Sequence, residues 1–309
     1  MFRVPVCPVC VPAPSGVFLP VLYRTVYGYR SGTLPVQYGL RTMLWRLLRQ
    51  QRLLCVLAAR ASAEYSFTLQ PGWPPLEQLE AGVAKRLTLI RHAEGWHNKD
   101  GREMANYYSD KLFTTDTYWD ARLTPEGEKQ AYLIAVKQQW RQQKGLPEVV
   151  VVSPLTRAIQ TATIGFPNTT TANGINIVAP PFVATSLARE RIWIHSCDRR
   201  RPRHELEAEF PHVNFADVAH GDDEMWDNKE DQPSADDSAA CTARARALLE
   251  WLWARPEKDI AVVTHWVFLR QLFRMFPDRL EWSGPFGNAE LRHVSLVRSV
   301  TAPSNKDEV

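Results

Sequence analysis

Three short, mostly apolar runs constrain the fold of this 309-residue chain more than any other feature. They read LTLI at residues 87–90, VVVV at 149–152 and IAVV at 260–263. Apolar runs without polar alternation mark strands covered on both faces, the condition of strands in a parallel sheet. Helix-forming sequence follows two of them: Ser153-Pro154 caps a helix over 155–166, and WVFLRQLFRMF predicts another over 266–276. Strands alternating with helices predict an α/β fold, a three-layer αβα sandwich with a mostly parallel central sheet.

The remaining elements follow from local signals. A strand is expected at 85–90, and Thr124 followed by Pro125 opens a helix that runs through Lys129, Ile134 and Trp140 to Gly145. Residues 98–118 carry no clean period and read as a long loop with at most a short helix. A strand is expected over 175–184, which Pro180-Pro181 either confines to an edge or splits. A helix over 239–254 ends before Pro256, and a closing strand covers 291–297. Between the second and last strands lies an insertion, residues 187–237. Its basic half is RERIWIHSCDRRRPRH, and its acidic half, GDDEMWDNKEDQPSADD, is expected as a mobile surface loop.

Composition matters chiefly at the start of the chain. Of the 37 lysines and arginines, eight arginines fall in residues 1–63, which contain no acid, and the rest of the chain is mildly acidic. Residues 1–66 are therefore expected as a basic leader, a targeting peptide or disordered, ahead of a single catalytic domain over 67–309. A basic amphipathic helix in MLWRLLRQQRLLCVLAARASA would suit a transit peptide and a mitochondrial or other organellar location; without cleavage the expectation is cytoplasmic. A secretory signal with a short core, LLCVLAA, and a start at Met43 are the alternatives. No run reaches the ~18 apolar residues of a membrane span. The net charge of +3 gives no sign of a nucleic-acid surface, and five cysteines, an odd number, argue against a disulfide framework. Cys7 and Cys10 lack the second pair that a zinc site needs.

Three strand ends now compare closely. The first run ends at Arg91-His92, the second is followed by Arg157 one helical turn on, and the third ends at His265. In a parallel sheet the C-terminal strand ends share one edge, so two arginines and two histidines converge there. Helix N-termini beginning at the same edge would add backbone donors. Such a site suits an anion with at least two charges, and phosphate fits best. Taken singly each residue has a bland reading, a structural histidine or an arginine paired with a surface acid; it is their joint occurrence that points to a site. The metal reading of HAEGWH fails on spacing, because His92 and His97 are five residues apart and cannot share one helical face as zincin ligands do. Neither a Walker-type glycine loop nor a GxSxG elbow occurs.

These segments, RHAEGWHN at 91–98, SPLTRAIQTA at 153–162, the pair Arg189-Glu190 and VTHWVFLRQL at 263–272, resemble the four signatures of the histidine phosphatase superfamily. The stretch RERIWIHSCDRRRPRHELEAEFP is similar to the insertion of its phosphoglycerate mutase-like branch in plants, fungi and protists. The resemblance implies that His92 is a nucleophile carrying a phosphoryl group, with its other ring nitrogen on an acceptor such as a backbone carbonyl. It implies that Arg91, Arg157 and His265 clamp the phosphoryl oxygens, that Asn98 adds a donor, and that Glu190 is the general acid. No metal or other cofactor is implied, and the partner is a small phosphorylated metabolite. The run Arg199-Arg200-Arg201 would recognise a second anionic group, or else sit in a salt-bridged surface loop; His195 and His204 lie near it. The sequence departs from the family at Ala93, Trp193 and Trp266, the last at a position that is normally small. The expected activity is metal-independent phosphatase action, with a mutase and an inactive phosphate-binding scaffold as alternatives.

Overall fold

The computed structural model describes residues 65–104, 114–139, 146–170, 174, 176–227 and 239–300. The arginine-rich leader up to residue 64, the expected helix end at Trp140 to Gly145 and residues 228–238 of the acidic segment lie outside the described residues. The strands are β1 (Tyr65–Pro71), β2 (Ala84–Arg91), β3 (Val149–Val152), β4 (Thr169–Thr170), β5 (Asn176–Ile177), β6 (Phe182–Thr185), β7 (Val213–Asp217), β8 (Asp259–Thr264) and β9 (Leu291–Val300). The helices used below are α1 (Leu76–Glu80), α2 (Trp96–Glu103), α3 (Pro125–Gln139), α4 (Thr156–Gly165), α5 (Arg203–Glu209), α6 (Ala239–Ala254) and α7 (Trp266–Arg274).

Seven strands form one sheet in the order β1-β9-β2-β8-β3-β6-β7. The pairings β2–β8, β8–β3, β3–β6 and β6–β7 are parallel, and β9 pairs antiparallel with both β1 and β2. The three apolar runs are thus the three adjacent central strands. Alternate residues along each strand feed opposite faces of the sheet. Val149, Val151, Ile260 and Val262 pack with Leu248 and Leu252 of α6 and with Phe268 and Phe273 of α7. Val150, Val152, Ala261 and Val263 pack with Ala131 and Ile134 of α3 and with Ala158 and Ile159 of α4. Each large apolar side chain removed from water in this way contributes about 1.5–3 kcal/mol. The result is the αβα sandwich.

The Pro180-Pro181 break does split its segment, into β5 and β6, and β6 lies inside the sheet between β3 and β7. Three elements run beyond the sequence reading. β1 starts at Tyr65, inside the stretch assigned to the leader, and its burial alternates, with Leu69 buried and Ser66, Thr68 and Gln70 exposed. β7 lies within the insertion and alternates likewise, burying Val213 and Phe215. α2 occupies the start of the expected loop; Asn98 Oδ1 accepts the Gly95 N–H at 3.0 Å and so ties down its first turn. The acidic segment is anchored at its start, because Asp223 is buried and pairs with Arg189 at 2.5 and 2.6 Å.

Candidate active site

Strand register brings the histidines together. Arg91, the last residue of β2, is in register with Thr264, the last of β8, so His92 and His265 follow side by side. The His92 N–H donates to Thr264 O at 2.8 Å, and the two imidazole centroids are 4.9 Å apart. β3 is held to β8 by the same parallel pairing, with Ser153 N–H on Val263 O at 3.0 Å. That places α4 and its second residue, Arg157, at the same edge.

Arg157 is the hub. It is 1% exposed. Its Nε donates to His92 Nε2 at 3.3 Å and its Nη2 to His265 Nδ1 at 3.2 Å and Asp198 Oδ1 at 2.9 Å, while Nη1 donates to Cys197 O. A guanidinium only donates, so the histidine nitrogens facing it are acceptors. The tautomers follow. His92 Nδ1 carries its proton toward Ala93 O at 2.7 Å and leaves Nε2 unprotonated, the acceptor of the Arg157 bond; His265 carries its proton on Nε2, 2.8 Å from Ser153 Oγ. Burial first, then the Arg157 charge, holds the pKa of each histidine well below the imidazole range. Both are neutral at physiological pH.

A cavity of about 440 Å³ opens onto this cluster, lined by Arg91, His92, His97, Asn98, Arg157 and Glu190 among others. Arg91 Nη1 donates to Phe286 O at 2.6 Å, and its guanidinium lies 5.9 Å from the Trp266 ring centre. Asn98, besides bonding Gly95, accepts from Asn288 Nδ2 at 3.4 Å. Glu190 accepts three backbone N–H groups, from Arg191 and Phe268 at 2.8 Å each and from Val267 at 3.2 Å. Burial, and then the negative charge of Asp198, nevertheless raises its pKa above the ordinary carboxylate range.

No protein-family model matches the chain. A phosphoglycerate mutase-like protein of Arabidopsis thaliana is 33% identical to it over 239 residues, an alignment covering 69% of this chain and 84% of that protein. The chain belongs to the phosphoglycerate mutase-like family of the histidine phosphatase superfamily. A second Arabidopsis member, phosphoglycerate mutase-like protein 1, is 32% identical over 238 residues, covering 69% of this chain and 81% of that one. Among solved structures, phosphoserine phosphatase from Entamoeba histolytica in complex with 3-phosphoglyceric acid is 21% identical, with a TM-score of 0.37 over 71% of this chain and 98% of that one.

The arginine run stands away from the cavity. Arg199 pairs with Asp116 and stacks on Trp119; Arg200 donates to the carbonyls of Arg201, Gly221 and Asp222; Arg201 donates to Asp120, Thr156 and Glu209. These contacts are those of the salt-bridged loop, and no guanidinium of the three lines the cavity. His195 is buried and lines it; His204 is exposed on α5. The helix N-termini also depart from expectation. The first N–H of α4 goes to the Asp120 carboxylate at 2.8 Å, and the N–H groups of Val267 and Phe268 in α7 go to Glu190. The chain's own carboxylates take the donors expected to face an anion.

Three further residues belong to the cluster. His97 is buried on the cavity wall, its ring centre 5.8 Å from that of His92. Gly95 makes room for it, since a Cβ there would lie 2.8 Å from His97 Nδ1. Asn288 Nδ2 donates to His92 O at 3.2 Å from a loop nearly two hundred residues away, and Asp198 holds Arg157. The second histidine of the first motif was the only visible signal for His97. Nothing local marks Asn288.

Proposed function

We propose that this protein is a metal-independent phosphomonoesterase that carries the phosphoryl group on His92 Nε2. The observation that supports it most directly is the fixed tautomer of His92: with Nδ1 on Ala93 O, the Nε2 lone pair faces Arg157 and the cavity. In the first half-reaction that lone pair attacks phosphorus in line and the ester P–O bond breaks. The leaving oxygen takes its proton from Glu190. In the second, the Glu190 carboxylate takes a proton from water, the resulting hydroxide attacks phosphorus, and the P–N bond breaks to return neutral His92 and free phosphate. Arg157 and Arg91 hold the charge that spreads over the phosphoryl oxygens, with the Asn98 amide as a further donor. His265, expected on the phosphoryl oxygens, is fully buried and does not line the cavity; it orients Arg157 through Nδ1 instead. The substrate class is a small phosphomonoester.

Steady-state hydrolysis of an aryl phosphate by the full chain in the presence of chelator tests the reading, alongside His92→Ala. Activity that survives chelator and disappears in the variant is expected, together with acid-labile phosphate on the wild-type protein after a rapid quench. Full activity of His92→Ala would overturn the assignment, and phosphoryl exchange within phosphoglycerate without release would identify a mutase instead.

A further inference from the structure

The cavity has two chemically distinct parts. Its floor is buried and polar, formed by His92, His97, Arg157 and Asp198. Its outer wall is half-buried and carries two indoles, Trp193 and Trp266, beside Val267, Arg91 and Arg191. The indoles are held there by cations: the Arg191 guanidinium lies 5.4 Å from the Trp193 ring centre, and that of Arg91 5.9 Å from Trp266. The His195 ring meets Trp193 edge to face at 6.0 Å, adding a third aromatic group to the wall. An ester whose phosphoryl group is seated on the floor thus directs its alcohol toward two indoles.

We infer that Trp193 and Trp266 select the leaving group, and that the preferred substrate is a phosphomonoester whose alcohol carries a flat aromatic ring close to the ester oxygen. This rests on the phosphatase reading above. Indole faces are electron-rich, attract rings in offset or edge geometry, and repel carboxylates. A short acidic alcohol would have to give up hydration against them. Of the cations nearby, Arg102 is paired with Glu94 and Arg191 lies over Trp193. Arg191 lines the cavity and its charge acts on Asp198, which makes a short anionic alcohol the rival to test.

The test compares kcat/KM of the full chain for phenethyl phosphate, n-propyl phosphate and 3-phosphoglycerate. The first two release primary alkoxides of similar basicity, so their ratio reads binding of the ring. Phenethyl phosphate is expected to exceed propyl phosphate by about tenfold, equivalent to ~1.4 kcal/mol. In Trp193→Leu and in Trp266→Leu that ratio falls toward one, and in Trp193→Phe it persists. Because a ratio is internal to each variant, partial loss of folded protein does not alter it. A ratio near one in the wild type, or 3-phosphoglycerate as the fastest of the three, overturns the inference. If no ester is hydrolysed, the phosphatase reading fails by itself, and calorimetry with phenethyl- and propylphosphonate decides the present one. Tenfold tighter binding of the aromatic compound upholds it, and equal affinities sink it.

Discussion

Arg157 donates from Nε to His92 Nε2 at 3.3 Å. The lone pair proposed to attack phosphorus is the acceptor of that bond, so the guanidinium sets the direction in which it points. The same guanidinium holds His265 and neutralises Asp198. One side chain thereby couples three strand ends and the insertion.

Replacing Arg157 is accordingly expected to be costly twice over. Arg157→Ala should lower kcat/KM by about 10²–10³, the effect of removing a donor at developing negative charge. It should also lower stability by roughly 3–5 kcal/mol, because Asp198 is left buried without its partner. Arg157→Lys should not rescue activity, since one ammonium cannot reproduce a planar fork that reaches four acceptors. Steady-state kinetics and urea denaturation measure the two effects separately.

The pH profile should be bell-shaped, with its two limbs moved apart. Below the His92 pKa the imidazolium has no lone pair to attack phosphorus, and burial with the Arg157 and Arg91 charges lowers that pKa well below the imidazole range, so the acid limb lies at low pH. Above the Glu190 pKa no proton remains for the leaving oxygen, and burial with Asp198 raises that pKa above the usual carboxylate range. Activity is thus kept through mildly acidic pH and lost as pH rises through the Glu190 value. In Glu190→Gln the alkaline limb should disappear along with most of the rate for poor leaving groups; an unchanged limb would remove Glu190 from the acid role.

Gly127 in α3 should not tolerate alanine. A Cβ there would lie 2.1 Å from Glu94 O, a backbone atom two residues beyond His92. Either α3 or the 92–94 segment must move, at about 1–3 kcal/mol for overpacking. Gly127→Ala should lower the melting temperature and reduce kcat together. Gly72→Ala, with a positive φ and open space around it, should cost stability without reducing kcat.

Asp120 adopts φ of 46° and is 2% exposed, where it caps α4 through Thr156 and receives Arg201. The cap stands one residue before Arg157. Asp120→Ala should cost about 0.5–2 kcal/mol as a lost cap and lower kcat more than it raises KM. Asp120→Asn should be milder, because asparagine tolerates the left-handed region and keeps one acceptor. Equal kinetics for the two variants would show that the cap does not govern Arg157.

The fold was legible where side-chain pattern alone decides it. The runs at 87–90, 149–152 and 260–263 predict buried parallel strands, and those are the three central strands of the sheet. Edge strands such as β1 and β7 are weaker in sequence because only one face is buried, so alternation over five to seven residues is their whole signal. The convergence of Arg91, His92, Arg157 and His265 was likewise legible, since a parallel sheet brings strand ends to one edge whatever their separation along the chain.

Apart from the backbone carbonyl expected beside the second ring nitrogen of His92, which is Ala93 O, the partners of those residues were not legible. A run of three arginines looks the same in sequence whether it reads a substrate or staples loops, and only the positions of Asp120, Glu209 and the 219–222 carbonyls decide that Arg200 and Arg201 staple loops. Nor does a helix start reveal that Asp120 or Glu190 will occupy its N–H groups. The sequence by itself determined the three central strands, the helices that follow them and the residues at one edge, because hydrophobic periodicity is local and repetitive and buried parallel strands end at a common edge. Only the tertiary structure decided the contact of His92 with Arg157, the burial of Asp198 and the meeting of Trp193 and Trp266 on one cavity wall, because each depends on distances of a few ångströms between segments that share no local pattern.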